Sequence, residues 1–182
     1  MALHGAMTTT FTHAPALHKL LTAIDKLALG KPVFVKMPNL TSWPRYQEML
    51  DVILKHNVQA VVVANLVKDR ANISVKDDLP ANVRGGLSGE PCRERSLALI
   101  RQTYNYCGDK LTIIGVGGTF TAQDAYDKIR AGASLVGMIT GLIFEGPQVV
   151  GEINAGLSEL LEKDGHTSIQ QAIGTDSKVL QI

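Results

Sequence analysis

Leu111-Thr112-Ile113-Ile114-Gly115-Val116-Gly117-Gly118-Thr119 is the stretch on which the fold turns. Residues 111–115 are mostly apolar and do not alternate with polar ones, the pattern of a strand buried on both faces of a parallel sheet. Glycines follow at once. Helical spacing then runs from Thr121, a side chain suited to capping, to Arg130, with Gly132 placed to stop it. One strand, one glycine turn and one helix make a single β-α unit.

The same unit recurs on both sides. Downstream, residues 134–139 read as another strand, followed by Thr140-Gly141 and a short helical turn. Pro147 then opens a helix carrying Val149, Val150, Ile153, Leu157, Leu160 and Leu161, ending near Gly165. Upstream, residues 92–106 read as a helix and residues 60–64, Ala-Val-Val-Val-Ala, as a buried strand. Pro44 begins a helix to about His56, with Ser42 or Trp43 as its cap. Residues 33–36, Val-Phe-Val-Lys, form another short buried strand. Residues 15–28 place Leu17, Leu20, Leu21, Ile24 and Leu27 on one helical face, with Gly30 as the stop. The order is a helix followed by four β-α units, hence an α/β fold with a parallel sheet under helices. An open doubly wound sheet and part of a β/α barrel both satisfy this order. A closed eight-unit barrel takes about 250 residues, against 182 here.

Composition narrows the chemistry. Eighteen Lys and Arg against 17 Asp and Glu leave a formal charge of +1, without the basic excess of a nucleic-acid binder. With 45% apolar and 19% charged residues, the chain reads as an ordinary globular domain. No apolar run is long enough to span a membrane. The first dozen residues show neither a helical period nor a signal-peptide pattern. Cys92 and Cys107 offer neither a disulfide framework nor zinc spacing, and the five histidines show no metal spacing. No metal is therefore expected, and a reducing, cytoplasmic setting is.

In parallel α/β folds, chemistry sits at the carboxyl ends of the strands. Gly117-Gly118 and Thr140-Gly141 end neighbouring strands, each just before a helix start. Such a pair either cradles a phosphate or simply makes two tight turns. Lys36 ends the first strand, as a surface lysine or as a charge aimed into the site. Asn65 ends the second, as a turn cap or as a planar ligand's hydrogen-bond partner. Residues 66–84 exceed an ordinary β-α connection and read as a lid or binding loop. Lys68, Asp69, Arg70, Lys76, Asp77 and Asp78 give it a solvated face, and Gly85-Gly86-Leu87-Ser88-Gly89 closes it with backbone suited to close packing. Cys92 reads as a buried, inert thiol.

Leu21-Thr22-Ala23-Ile24, Val35-Lys36, Asn65, residues 85–89, residues 113–118, Ala131-Gly132-Ala133-Ser134-Leu135-Val136 and residues 140–147 occur in one order. Over residues 17–174 that ordered set resembles the C-terminal half of the dihydroorotate dehydrogenase family. The tail through Asp164-Gly165 is most similar to the quinone-linked class. The resemblance implies a β/α barrel of the TIM type holding FMN at its strand ends. It implies oxidation of dihydroorotate to orotate in pyrimidine synthesis, with hydride passing to the flavin as a base takes a proton. Lys36 would lie beside the flavin ring. Gly89 and Gly118 would meet FMN, with Gly118 and Thr140-Gly141 at its phosphate. Asn65 would bond the pyrimidine, and the long loop would close over it.

Departures from the family pattern are equally informative. The base in this class is a serine within Asn-x-Ser-x-Pro-Asn, which these 182 residues lack, so no catalytic residue is assigned. Ala64 stands where a threonine bonds the flavin, Leu66 where a polar residue meets substrate, and Ile139 where an aromatic flanks the phosphate. Residues 37–40, Met-Pro-Asn-Leu, are one residue short. The expected cofactor contacts are Lys36, Ala64, Gly89, Gly117, Gly118, Ile139, Thr140 and Gly141, and the expected substrate contacts are Asn65 and Leu66.

The sequence therefore predicts a half TIM-type barrel: four parallel β-α units with a preceding helix. Residues 1–12 are read as an irregular segment, 13–174 as the half barrel and 175–182 as a tail. Four strands leave two edges and an apolar inner face. The expectation is thus a partner, either a complementary N-terminal half or a second copy in a homo-oligomer. Dihydroorotate and orotate are the expected substrate pair once the barrel is complete, and a quinone the acceptor. Peripheral membrane contact would come only through the N-terminal half. The alternatives are a non-catalytic half barrel binding FMN or another phosphate ligand, and an inactive fragment.

Overall fold

A computed structural model of the chain describes residues 10–70, 75, 82 and 85–177. Its elements run α1 (Ala14–Asp25), β1 (Phe34–Lys36), α2 (Trp43–Ile53), β2 (Ala60–Val63), α3 (Arg93–Cys107), β3 (Thr112–Val116), α4 (Ala122–Arg130), β4 (Leu135–Gly137), α5 (Thr140–Glu145), α6 (Val149–Lys163) and α7 (Ile169–Ala172). The strands form one parallel sheet in the order β1-β2-β3-β4, with Val35 opposite Val61, Val61 opposite Ile113 and Gly115 opposite Val136. Strands in sequential order with helical crossovers make an arc, the half of a β/α barrel expected from the sequence.

Partners in a parallel register share a face, and that sorts the sheet into two surfaces. Val35, Val61, Val63 and Ile113 belong to the outer face. They pack with Leu17 and Leu21 of α1, Met49, Leu50 and Ile53 of α2, and Leu99 and Ile100 of α3. Val136 on the same face packs against Ala125, Val149 and Ile153 and against Tyr126, Ile129 and Ala172. The inner face carries Phe34, Lys36, Val62, Ile114 and Leu135, and no described helix core includes them.

That asymmetry agrees with the expected apolar inner face and corrects the reading of residues 33–36 as a buried strand. β2 is buried, with Ala60, Val61 and Val63 at 0% exposure, but Phe34 is 51% and Leu135 57% exposed. β1 and β4 are the two edges of the described sheet, and the helices pack on its outer face. Apolar composition alone does not distinguish an edge strand from a central one. The stop of α1 is also corrected. The helix ends at Asp25, and Ala28, not only Gly30, adopts a left-handed conformation (φ +46°).

Both ends of the chain's described part are tied down. Thr10–Thr12 form a 3-10 turn, and the Arg45 guanidinium donates to the Thr12 carbonyl (3.3 Å) and hydroxyl (3.2 Å). Arg130 pairs with Asp176 at 2.6 Å, and the Ser177 hydroxyl donates to the Ala131 carbonyl at 2.7 Å. Among the described residues, no helix is long and apolar enough to cross a membrane.

Candidate functional site

The turn after β3 is held from behind by α3. The Ser96 hydroxyl donates to the Val116 carbonyl at 2.6 Å, and the Arg93 Nε donates to the Gly118 carbonyl at 3.1 Å. Arg93 Nε also lies 2.9 Å from Asp124 Oδ1, with Asp124 8% exposed. The other carboxylate oxygen, Oδ2, accepts the N–H groups of Phe120 and Thr121, each at 3.0 Å. Thr121 returns the bond by accepting the Asp124 N–H at 3.1 Å, a reciprocal capping box that starts α4 as expected. Gly118 has φ +62°, and a Cβ there would stand 2.6 Å from the Arg93 Cβ. Only glycine allows α3 and the turn to approach this closely.

The turn after β4 meets the first one directly. A Cβ on Gly141 would lie 2.2 Å from the Thr119 carbonyl oxygen, so the two turns are in backbone contact. Thr140 and Gly141 occupy the first turn of α5, where N–H groups have no acceptor inside the helix. The segment 85–89 reaches the same place. The Thr140 hydroxyl donates to the Ser88 Oγ at 3.0 Å, and Gly89 abuts the Thr140 methyl. The base of the long loop is pinned by reciprocal backbone bonds between Val67 and Leu87 (3.0 and 2.7 Å). Most of residues 66–84 lie outside the described residues, including Lys76, Asp77 and Asp78. Lys68 and Asp69 are exposed, and the Arg70 guanidinium donates to the Gly85 carbonyl at 3.0 Å.

Lys36, Asn39, Ala64, Asn65, Leu66, Ser88, Gly117, Gly118, Ile139, Thr140 and Gly141 are among the residues lining one cavity at the carboxyl ends of the strands. It encloses only about 50 Å³, far below the roughly 300–1,000 Å³ of a small-molecule site. A larger groove of about 670 Å³ adjoins it along the free edge of β1 and shares Lys36, Asn39, Asn65 and Leu66. All ten residues expected at the site except Gly89 line the cavity, and Gly89 touches it through Thr140.

Asn65 acts partly as the turn cap that the sequence left open. Its Oδ1 accepts the Leu66 N–H at 2.8 Å, and its own N–H donates to the Met37 carbonyl at 3.0 Å. The side-chain amide Nδ2 is the donor left for a ligand. Asn39 Oδ1 is buried without a hydrogen-bond partner, an unmet acceptor at the cavity wall. Ala64 is 5% and Leu66 46% exposed. Cys92 is buried beside the cavity. Its thiol donates to the Leu87 carbonyl at 3.2 Å and is pushed up in pKa by burial, as an inert thiol should be.

Sequence reasoning missed Arg93, Ser96 and Asp124. Their partners lie up to 31 residues away, beyond any local pattern, although the Thr-x-x-Asp spacing at 121–124 was readable. Away from the site, His56 bonds Asp25 Oδ2 at 2.6 Å and His18 Nδ1 at 2.8 Å. The bond from His56 holds the Asp25 carboxyl below its ordinary value. No group of three or more metal-ligating side chains exists among the described residues.

A family model described as dihydroorotate dehydrogenase matches residues 5–161. The chain is 40% identical over 153 residues to a dihydroorotate dehydrogenase (quinone) of Synechocystis sp., covering 81% of this chain and 40% of that protein. It is 40% identical over 167 residues to its counterpart in Myxococcus xanthus, covering 89% and 45%. It is also similar to a crystal structure of DHODH in complex with ferulenol from Eimeria tenella. There the TM-score is 0.81 at 26% identity, over 96% of this chain and 52% of that one. The chain spans less than half the length of these curated relatives.

Proposed function

The chain belongs to the dihydroorotate dehydrogenase family, and from that premise we propose that it forms the FMN-binding half of a site oxidising dihydroorotate to orotate. The observation that carries this reading is the convergence of Lys36, Asn65 and the two glycine turns on one cavity. The residues present fit the group in part. Two turns in backbone contact and the unmet Asn39 acceptor suit a bound phosphate and a polar ring edge. Ala64 and Ile139 supply only apolar contact.

When bound, FMN supplies the hydride acceptor, and the protein supplies position and electrostatics. The backbone of Gly117, Gly118, Thr140 and Gly141 would hold the phosphate end, with Gly89, Ala64 and Ile139 as neighbouring walls. Lys36 lines the cavity, where its charge would favour negative charge on the ring. Asn65 orients the pyrimidine through Nδ2, and Leu66 excludes water beside it. None of these side chains takes the substrate proton, and the sequence lacks the family's serine segment. Turnover therefore requires a base from a complementary half, which also closes the shallow cavity. The relatives' names carry a quinone, which we take as the electron acceptor. We place the assembly in the cytoplasm, with membrane contact arising through the other half.

Visible spectroscopy of the purified chain, before and after adding FMN, tests this reading. A perturbed flavin spectrum and a raised melting temperature at saturating FMN are expected. A colourless chain whose melting temperature does not move at saturating FMN refutes it. The missing serine segment also favours a second reading, a half barrel that binds FMN or another phosphate ligand without turnover. Restored dihydroorotate oxidation on mixing with the N-terminal half of a relative would exclude that reading.

A further inference from the structure

We infer that Arg93 and Asp124 are positioning residues that hold the Gly117-Gly118 turn in its anion-accepting shape. The inference rests on the FMN reading above and assigns the pair to the phosphate end. A turn that cradles a dianion must keep its carbonyl oxygens turned away while its N–H groups face the ligand. Here the Gly118 carbonyl is taken by the Arg93 guanidinium at 3.1 Å. The guanidinium charge is in turn met by the Asp124 carboxylate at 2.9 Å, so Arg93 is not a free cation offered to the ligand.

The carboxylate ties down the next part of the turn by accepting the Phe120 and Thr121 N–H groups. One ion pair thereby fixes the Gly118 carbonyl and the Phe120 and Thr121 N–H groups. The close approach of α3 to Gly118 leaves no room for the turn to relax backwards. Because hydrogen bonds to charged groups contribute more than neutral ones, loss of either partner should loosen the turn while leaving the sheet intact.

Two measurements on the full chain separate this role from a general loss of stability. The first needs no ligand: amide hydrogen exchange at Phe120 and Thr121 in Arg93→Ala and Asp124→Asn. Exchange faster by at least about tenfold is expected, the equivalent of one charged hydrogen bond, with protection in β2 unchanged. The second compares affinities for FMN and for riboflavin, which lacks the phosphate. Arg93→Ala should weaken FMN binding by at least about tenfold and leave riboflavin binding unchanged. Arg93→Lys, which keeps the charge but not the planar fork, should fall between and serves if the alanine variant does not fold. Unchanged exchange, or equal losses for both flavins, overturns the inference. A wild-type chain that binds neither flavin refutes the FMN reading and the phosphate role with it, while the exchange data still decide whether the pair holds the turn.

Discussion

Lys128 is the most exacting test of how this core is built. It is 1% exposed, on the face of α4 beside Gly115 of β3, and among the described residues its Nζ donates to the Asp124 carbonyl alone, at 3.5 Å. Burial, reinforced by nearby Arg93 and opposed by Asp124, brings its pKa from an ordinary 10.5 down to about 8. At 1.36 kcal/mol per tenfold change in proton affinity, that fall corresponds to a destabilisation of about 3 kcal/mol at neutral pH. The sign follows from proton counting. Between pH 8 and 10.5 the unfolded chain binds more protons at this lysine than the folded one, so stability rises with pH across that window. Below pH 8 the destabilisation is fully present. Lys128→Met keeps most of the aliphatic stem and removes the amine. It should be more stable than the wild type at pH 7 by up to about 3 kcal/mol, the gap narrowing to about 1 kcal/mol at pH 10. The difference between the two proteins is the proper observable. Cys107 and Tyr126, raised by burial to about 11 and 12, pull stability the other way as pH rises through 9 to 11 and 10 to 12 respectively. Urea unfolding at pH 7 and 10 provides the measurement. A variant less stable than wild type at pH 7, or two proteins with parallel pH dependence, refutes the argument.

Gly118→Val places branched carbons where Arg93 backbone atoms lie within 2.9 Å of the first of them, at φ +62°. It should destabilise the chain by about 1–3 kcal/mol and abolish FMN binding, which fluorescence titration will show. Lys36→Ala should raise the FMN dissociation constant roughly fivefold, the effect of one partly exposed charge. An unchanged constant would make Lys36 a surface lysine. Thr121→Ala breaks the capping box and should lower stability by about 1 kcal/mol in denaturant melts, with little change in riboflavin affinity.

The order of elements was legible because each strand is a short apolar run and each helix has a clear period. Thr121 and Gly132 were legible because caps and stops are local chemistry. The glycine turns were legible as turns, and the residues expected at the site do gather at one cavity. What stayed hidden depends on distant partners. Phe34 and Leu135 look like core residues in sequence, but they sit on the inner face of the two edge strands, which no described helix core covers. Arg93 reads as an ordinary helix-surface arginine until Gly118 and Asp124 are brought to it by the α3–β3–α4 path. Asn65 carried two readings; its side-chain carbonyl oxygen serves the turn by accepting the Leu66 N–H, and the residue also lines the cavity.

The shallowness of the cavity also sets a clock. A wall enclosing only about 50 Å³ would contact a bound flavin on one side alone and do little to slow its escape. Residence on this chain alone should therefore be brief and exchange with dissolved flavin rapid, since lifetimes in related complexes are governed mainly by dissociation. A reduced ring so exposed would also be open to molecular oxygen. A second wall would thus lengthen occupancy and direct the electrons, even before it contributed any group to the chemistry.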